Sequence, residues 1–148
     1  TLEQLINVYP FPDNLTVVEL SGKQVRELIE YSLTLPYGVG QISGLTIEFD
    51  SSQPEMQRLI KIKVGNNELI DTEKYTVSTS AYVAKGGDGY TVFTEGKIID
   101  DDQDMPDALY QNFKNVFEID LPNINRQIDL SKVMGATKEE NRPAQNSQ

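Results

Sequence analysis

The sequence predicts an α+β fold, with helices packed on a mixed β-sheet, and three observations predict it. Apolar residues recur at helical spacing in two well-separated segments, several short segments between them alternate with period two, and turns rich in glycine, proline and asparagine separate them. The resulting order is helix, strand, helix, several strands, helix, which is the α+β pattern. A chain of 148 residues with 38% hydrophobic residues has the material for one domain with a sizeable core.

The first element is a short helix. Thr1-Leu2-Glu3-Gln4 has the form of a capping box, and Leu2, Leu5 and Ile6 share a face. Pro10 and Pro12 end it, and Tyr9-Pro10-Phe11-Pro12-Asp13-Asn14 is a stiff turn carrying two aromatic rings at a chain reversal. Asn14 to Leu20 is rich in β-branched residues and reads as a strand. Ser21-Gly22-Lys23-Gln24 is a second capping box, opening an amphipathic helix with Val25, Leu28, Ile29 and Leu33 on one face and Lys23, Arg26, Glu27 and Glu30 on the other. Leu35-Pro36 and the glycines at 38 and 40 stop it.

Strands follow. Gly44 to Phe49 and Leu59 to Val64 alternate, and Gly65-Asn66-Asn67 predicts a hairpin into Glu68-Leu69-Ile70. Lys74 to Ala84 reads as one further strand, with Tyr82 on its more polar face. Val92-Phe93 and Lys97-Ile98-Ile99 read as short edge strands, and the acidic run Asp100 to Asp104 as a solvated loop leading into a helix that starts at Asp104-Met105-Pro106-Asp107. Leu109, Phe113 and Val116 form the apolar stripe of that helix. Residues 1–134 are expected to form the domain and 135–148, which lack apolar periodicity, a disordered tail or linker. The chain opens at Thr1 without methionine, so it reads as an excised or processed piece of something longer.

Composition excludes several functions. Thirteen basic against twenty-three acidic residues give a net charge of −10, which disfavours nucleic acid polymers and anionic membranes as partners. There is no cysteine and no histidine, so thiolate chemistry, Ser-His nucleophiles and the usual transition-metal ligands are absent. No apolar run approaches the roughly 20 residues of a membrane span. The run Asp100 to Asp104 could attract a hard cation, but the spacing of an EF-hand and its closing glutamate are missing.

The most suggestive stretch is Ser80 to Tyr90, SAYVAKGGDGY, in which Gly86, Gly87 and Gly89 surround Asp88. Glycine permits positive φ or a close approach to the backbone, and an aspartate among glycines can aim its carboxylate at a ribose diol. The residues alone favour a hairpin loop with an Asx turn, and core packing for the rings of Phe11 and Tyr82.

Taken in order, YPFPDNLTVVELSGKQVRELIE (Tyr9 to Glu30), QISGLTIEFD (Gln41 to Asp50), a lysine-rich strand with a Gly-Asn hairpin, and EKYTVSTSAYVAKGGDGY (Glu73 to Tyr90) resemble the C-terminal domain of the 5′-nucleotidase and UDP-sugar hydrolase family. The resemblance covers roughly Thr1 to Val92. It implies a substrate-binding domain in which Phe11 and Tyr82 stack on the two faces of a nucleobase, and Asp88, held by Gly86 and Gly87, hydrogen-bonds the ribose. The family usually has phenylalanine where Tyr82 stands, which leaves stacking intact and the base preference open.

The same resemblance implies that catalysis belongs to a preceding metallophosphatase domain with two divalent metal ions, so that no catalytic or metal-binding residue is expected here and the isolated domain should be inactive. It implies a bacterial 5′-nucleotidase outside the cytoplasm: extracellular, periplasmic or at the cell surface. Two alternatives stand beside it. One is the same domain of a 2′,3′-cyclic-nucleotide 2′-phosphodiesterase/3′-nucleotidase; the other is a stand-alone binding or adhesion module.

Overall fold

A computed structural model describes residues 3–4, 7, 9–37, 39–116 and 125–132. The chain divides into two compact units, Thr1–Leu28 with Ile70–Asn123, and Ile29–Leu69 with Ile124–Gln148. The α+β class holds, with the strands in two sheets rather than one. Glu3, Gln4 and Asn7 are helical. The expected Thr1 cap, the stripe of Leu2, Leu5 and Ile6, and the tail 135–148 lie outside the described residues.

The first unit is built on β1 (Asn14–Ser21), which runs between β5 (Lys74–Ser80) and β6 (Lys97–Asp104) in an antiparallel sheet. Strand β1 alternates as the sequence predicts, and the side chains of Thr16, Val18 and Leu20 are buried on one face. Burial of Val18 and Leu20 fixes the register, which pairs Leu20 with Tyr75, Val18 with Val77 and Leu15 with Ser80. A slip of one residue would turn both apolar side chains to the other face. On the other flank the pairing of β1 with β6 is interrupted twice, between Leu15 and Val17 and between Val17 and Val18.

Helix α1 (Gly22–Ser32) starts with the predicted capping box. The Ser21 amide donates to Gln24 Oε1 at 2.9 Å, and the Gln24 amide donates to Ser21 Oγ at 3.3 Å. Gly22 is required because a Cβ there would lie 2.1 Å from the carbonyl oxygen of Ile70. Arg26 adds two hydrogen bonds to Asp71 Oδ1, at 3.1 and 2.9 Å. The boundary between the units falls within this helix, after Leu28.

Three expectations for the first unit are corrected. The strand read as Lys74 to Ala84 ends at Ser80. Val92 and Phe93 lie in a 3₁₀ turn, Thr91–Glu95, where both are buried. The acidic run Asp100 to Asp104 continues strand β6 instead of forming a loop, because the edge position leaves every residue of that strand exposed and alternate carboxylates can point into water. The helix start is as read: Asp104 caps α3 (Met105–Phe113), its Oδ1 accepting from the Asp107 amide at 2.8 Å. Its buried residue is Ala108, whereas Phe113 and Val116 of the expected stripe are exposed.

The second unit contains β2 (Leu45–Phe49), β3 (Leu59–Val64), β4 (Asn67–Glu68) and β7 (Gln127–Asp129), ordered β4-β3-β2-β7. The predicted Gly65-Asn66 hairpin joins β3 to β4, with Gly65 at φ 58°. Strand β7 pairs parallel to β2, which makes this sheet mixed. Glu30, read as solvent-facing, is buried, and its two carboxylate oxygens accept from the Arg58 and Leu59 amides at 3.0 and 2.9 Å. Those amides lie where β3 begins, so a charged acceptor replaces the water they would otherwise bind.

At the far end of β2, Asp129 Oδ1 accepts from the Ser51 amide at 3.2 Å, the Ser131 amide at 3.1 Å and the Ser131 hydroxyl at 2.7 Å. Its side chain is 8% exposed. Burial pushes this carboxyl up, but the hydrogen bonds from Ser131 and Ser51 outweigh it and hold the pKa at about 2.

Buried polar groups in the two units generate two stability predictions. Thr16 is 1% exposed and its hydroxyl has no hydrogen-bond partner among the described residues. Thr16→Val, which keeps the shape and removes the orphan, is expected to raise unfolding free energy by about 1 kcal/mol in urea titration. Asp129, with a folded pKa below its ordinary 3.8, contributes stability that is present above pH 3.8 and is lost as the pH falls towards about 2. Thermal melts across that window should fall less steeply with acid in Asp129→Asn than in the wild type.

Candidate functional site

The candidate residues all lie in the first unit, at the end where β1 begins and β5 ends. At Ser80 the chain leaves the strand. Ser80 Oγ accepts from the Val83 amide at 3.3 Å and caps a single helical turn, α2 (Ala81–Ala84). Alternation in KYTVSTSAYVA conceals this turn, because Ser80 fits a strand and a cap equally well. Tyr82 therefore stands on a helical turn rather than on a strand face.

The turn ends in the glycines. Gly86 takes a left-handed conformation at φ 88°, followed by Asp88 at φ 53° and Gly89 at φ 84°. Asp88 is one of the few residue types that tolerate this region. The loop does not close a β-hairpin; it links the Ala81–Ala84 turn, through a 3₁₀ turn Gly87–Gly89, to the one at Thr91–Glu95.

Tyr82 folds back over this loop. Its hydroxyl donates to Asp88 Oδ1 at 3.0 Å and accepts from the Asp88 amide at 3.3 Å. A Cβ on Gly87 would lie 2.5, 2.6 and 2.6 Å from the ring carbons Cε1, Cδ1 and Cζ. Three nearly equal distances put the backbone against a ring face, not an edge, so glycine at 87 is what lets the ring lie down. Tyr82 remains 56% exposed. Ring and carboxylate form one unit, and that pairing depends on a tyrosine at this position.

Phe11 is 62% exposed, so neither it nor Tyr82 has the core role that the residues alone suggested. Pro10 and Pro12 flank it, and its ring meets Tyr9 edge-on at 5.5 Å and 76°. The Tyr9 hydroxyl donates to Asp13 Oδ2 at 3.3 Å, closing the turn around Phe11. The same oxygen accepts the backbone amide of Tyr82 at 3.1 Å. Burial pushes the Asp13 carboxyl up, but the hydrogen bonds from Tyr82, Ser80, Asn14 and Tyr9 prevail and hold it below its ordinary value. Asp13 was not singled out from sequence, where it reads as an ordinary turn residue after proline. Tyr90 leans on Phe93, with centroids 6.5 Å apart.

The match to known proteins coincides with these elements. The family model for the 5′-nucleotidase C-terminal domain matches residues 1–95. The chain belongs to that family. It is 36% identical over 104 residues to the trifunctional nucleotide phosphoesterase protein YfkN of Bacillus subtilis, covering 64% of this chain and 7% of that protein. It is 31% identical over 112 residues to an apyrase of Tabanus yao, covering 66% of this chain and 20% of that one. A crystal structure of the 5′-nucleotidase precursor from Thermus thermophilus superposes with a TM-score of 0.80 at 25% identity, over 87% of this chain and 27% of that one. This family domain thus spans a fifth or less of the two sequence relatives.

The contact between Tyr82 and Gly87 predicts a non-additive pair. Gly87→Ala should displace the ring and cost about 1–3 kcal/mol in urea unfolding. In a Tyr82→Ala background the same change should cost at least about 0.5 kcal/mol less, and equal costs would show that the ring does not rest on Gly87.

Proposed function

We propose that this chain is the substrate-recognition domain of a bacterial 5′-nucleotidase and binds the nucleoside moiety of the nucleotide. In this reading Phe11 and Tyr82 stack on the base, Asp88 accepts hydrogen bonds from the ribose hydroxyls, and Gly86 and Gly87 shape the loop that presents the ring and the carboxylate. The observation that carries it is the Tyr82–Asp88 unit: an exposed ring tied by its own hydroxyl to a carboxylate, on a loop built from left-handed residues. An aromatic face suits any base, and a carboxylate is an acceptor for a diol. The net charge of −10 also suits a domain that takes the neutral end of the substrate and leaves the phosphate elsewhere.

Hydrolysis of the phosphate ester is assigned to an N-terminal metallophosphatase domain carrying two divalent metal ions. The residues here do not fit such a site: no histidine is present, and no three acidic side chains converge among the described residues. Their part is binding and orientation, which sets the distance from base to phosphate. The domain alone is expected to hydrolyse nothing. Its parent enzyme is placed by this reading outside the cytoplasm, and among the described residues no helix is long and apolar enough to cross a membrane.

A second reading keeps the nucleoside slot and changes the ester. Similarity to a protein named as a trifunctional nucleotide phosphoesterase leaves more than one ester open, and a 2′,3′-cyclic-nucleotide 2′-phosphodiesterase/3′-nucleotidase is the alternative parent. Hydrolysis of 5′-AMP against 2′,3′-cyclic AMP by the full-length protein separates the two.

The slot itself is tested by titrating the full-length protein with adenosine. Stacking is worth roughly 1–3 kcal/mol per base, so Phe11→Ala and Tyr82→Ala should each weaken binding about 5- to 150-fold. Asp88→Asn should weaken adenosine more than it weakens 2′,3′-dideoxyadenosine. Changes under about threefold at both rings would sink the sandwich.

A further inference from the structure

Phe11 and Tyr82 are far apart in sequence and each stands on an element too small to hold itself. A single helical turn such as Ala81–Ala84 fixes several dihedrals for almost no internal hydrogen bonding and needs partners at its open N-terminus. The proline turn around Phe11 has no ladder of its own. Yet two rings can clasp a flat base between them only if their relation is held to about half an ångström.

The sheet register brings a common support to both. Continuing the pairs Thr16–Thr79 and Leu15–Ser80 by two positions sets Asp13 opposite Tyr82, just beyond the last paired residue. There the ladder is continued by a side chain. Asp13 Oδ2 accepts the Tyr82 amide at 3.1 Å and the Tyr9 hydroxyl at 3.3 Å, and Oδ1 accepts the Asn14 amide at 3.0 Å. The Ser80 hydroxyl is a further donor to this carboxylate. The backbone is held as well, since the Asp13 carbonyl accepts the Met105 amide at 3.0 Å from the start of α3. One oxygen is thus shared between the turn that carries Phe11 and the turn that carries Tyr82.

We propose that Asp13 is a positioning residue that couples the two aromatic walls, touching neither ring's face and no ligand, and setting their relation through Tyr9 and the Tyr82 amide. This inference rests on the reading of Phe11 and Tyr82 as the walls of a nucleoside slot. Its consequence is that the two rings act as a unit: losing the coupling reduces what each contributes. Asparagine at 13 retains one acceptor oxygen and loses the other, so it supports only part of the set of donors.

The test uses the full-length protein with two readouts, adenosine titration and amide hydrogen exchange at Tyr82. Asp13→Ala is expected to weaken adenosine by about tenfold or more, and Phe11→Ala should then cost several-fold less affinity than it does in the wild type. Asp13→Asn should recover part of the affinity. Exchange at Tyr82 should accelerate about tenfold or more in Asp13→Ala while that of Ile62, in the other unit, is unchanged. Adenosine affinity within about twofold of wild type, full additivity with Phe11→Ala, or unchanged Tyr82 exchange would each overturn the proposal. If Asp13→Ala loses protection throughout, Asp13→Asn carries the same comparisons. If the wild type itself does not bind adenosine, the nucleoside reading falls, and exchange at Tyr82 with the Phe11 ring resonances decides the coupling alone: shifts in both sustain it, and no change at either overturns it.

Discussion

The antiparallel register between β1 and β5 is the constraint on which the site depends. It is set by burial, since Val18 and Leu20 are fully removed from water and must point to the same side of the sheet. Once those two side chains are placed, Leu15 faces Ser80, and everything beyond the end of the ladder is placed with them. Asp13 comes opposite Tyr82, the Ser80 hydroxyl comes to cap the next turn, and the Phe11 turn is delivered to the same end. Hydrophobic burial several residues away thereby determines where polar groups meet.

Polar groups then act locally. Ser80 caps one turn, Asp13 closes another, Gln24 and Ser21 cap each other, and Asp104 caps α3. Each satisfies an amide or hydroxyl that the end of an element leaves without a partner. Glu30 and Asp129 do the same in the second unit, at the beginning of β3 and beyond β2. Carboxylates recur at these joints, and some of the acids behind the net charge of −10 are therefore structural.

Long periodic elements were legible in the sequence. Strand β1, helix α1 with its capping box, β2, β3 and the glycine-asparagine hairpin follow from alternation, helical spacing and turn chemistry. The end of β5 was not, because serine, alanine and valine alternate as well in a strand as they fit a helical turn. Strand β6 was read at Lys97 to Ile99 but its continuation was hidden by its aspartates, which an edge strand tolerates, and β7 is three residues long and pairs with a strand distant in sequence. Glu30 was misplaced because periodicity reports a helical face and not the backbone that arrives opposite it. For the candidate site, composition and spacing favoured a plain turn and buried rings; Phe11, Tyr82 and Asp88 came from resemblance to a family. Asp13 had no signal of its own, since its role exists only through a register that pairs residues almost seventy positions apart.

The tyrosine hydroxyl at 82 has an energetic meaning. A phenylalanine at this position would rest on Gly87 by dispersion alone and could swing about its side-chain torsions, losing that freedom only when a ligand covered it. Tyr82 gives up the freedom during folding, through its two hydrogen bonds to Asp88. On the proposed nucleoside reading, the entropic cost of ordering this wall for a planar ligand is already met before binding, so affinity gained here would show as slower dissociation, without any enlargement of the contact.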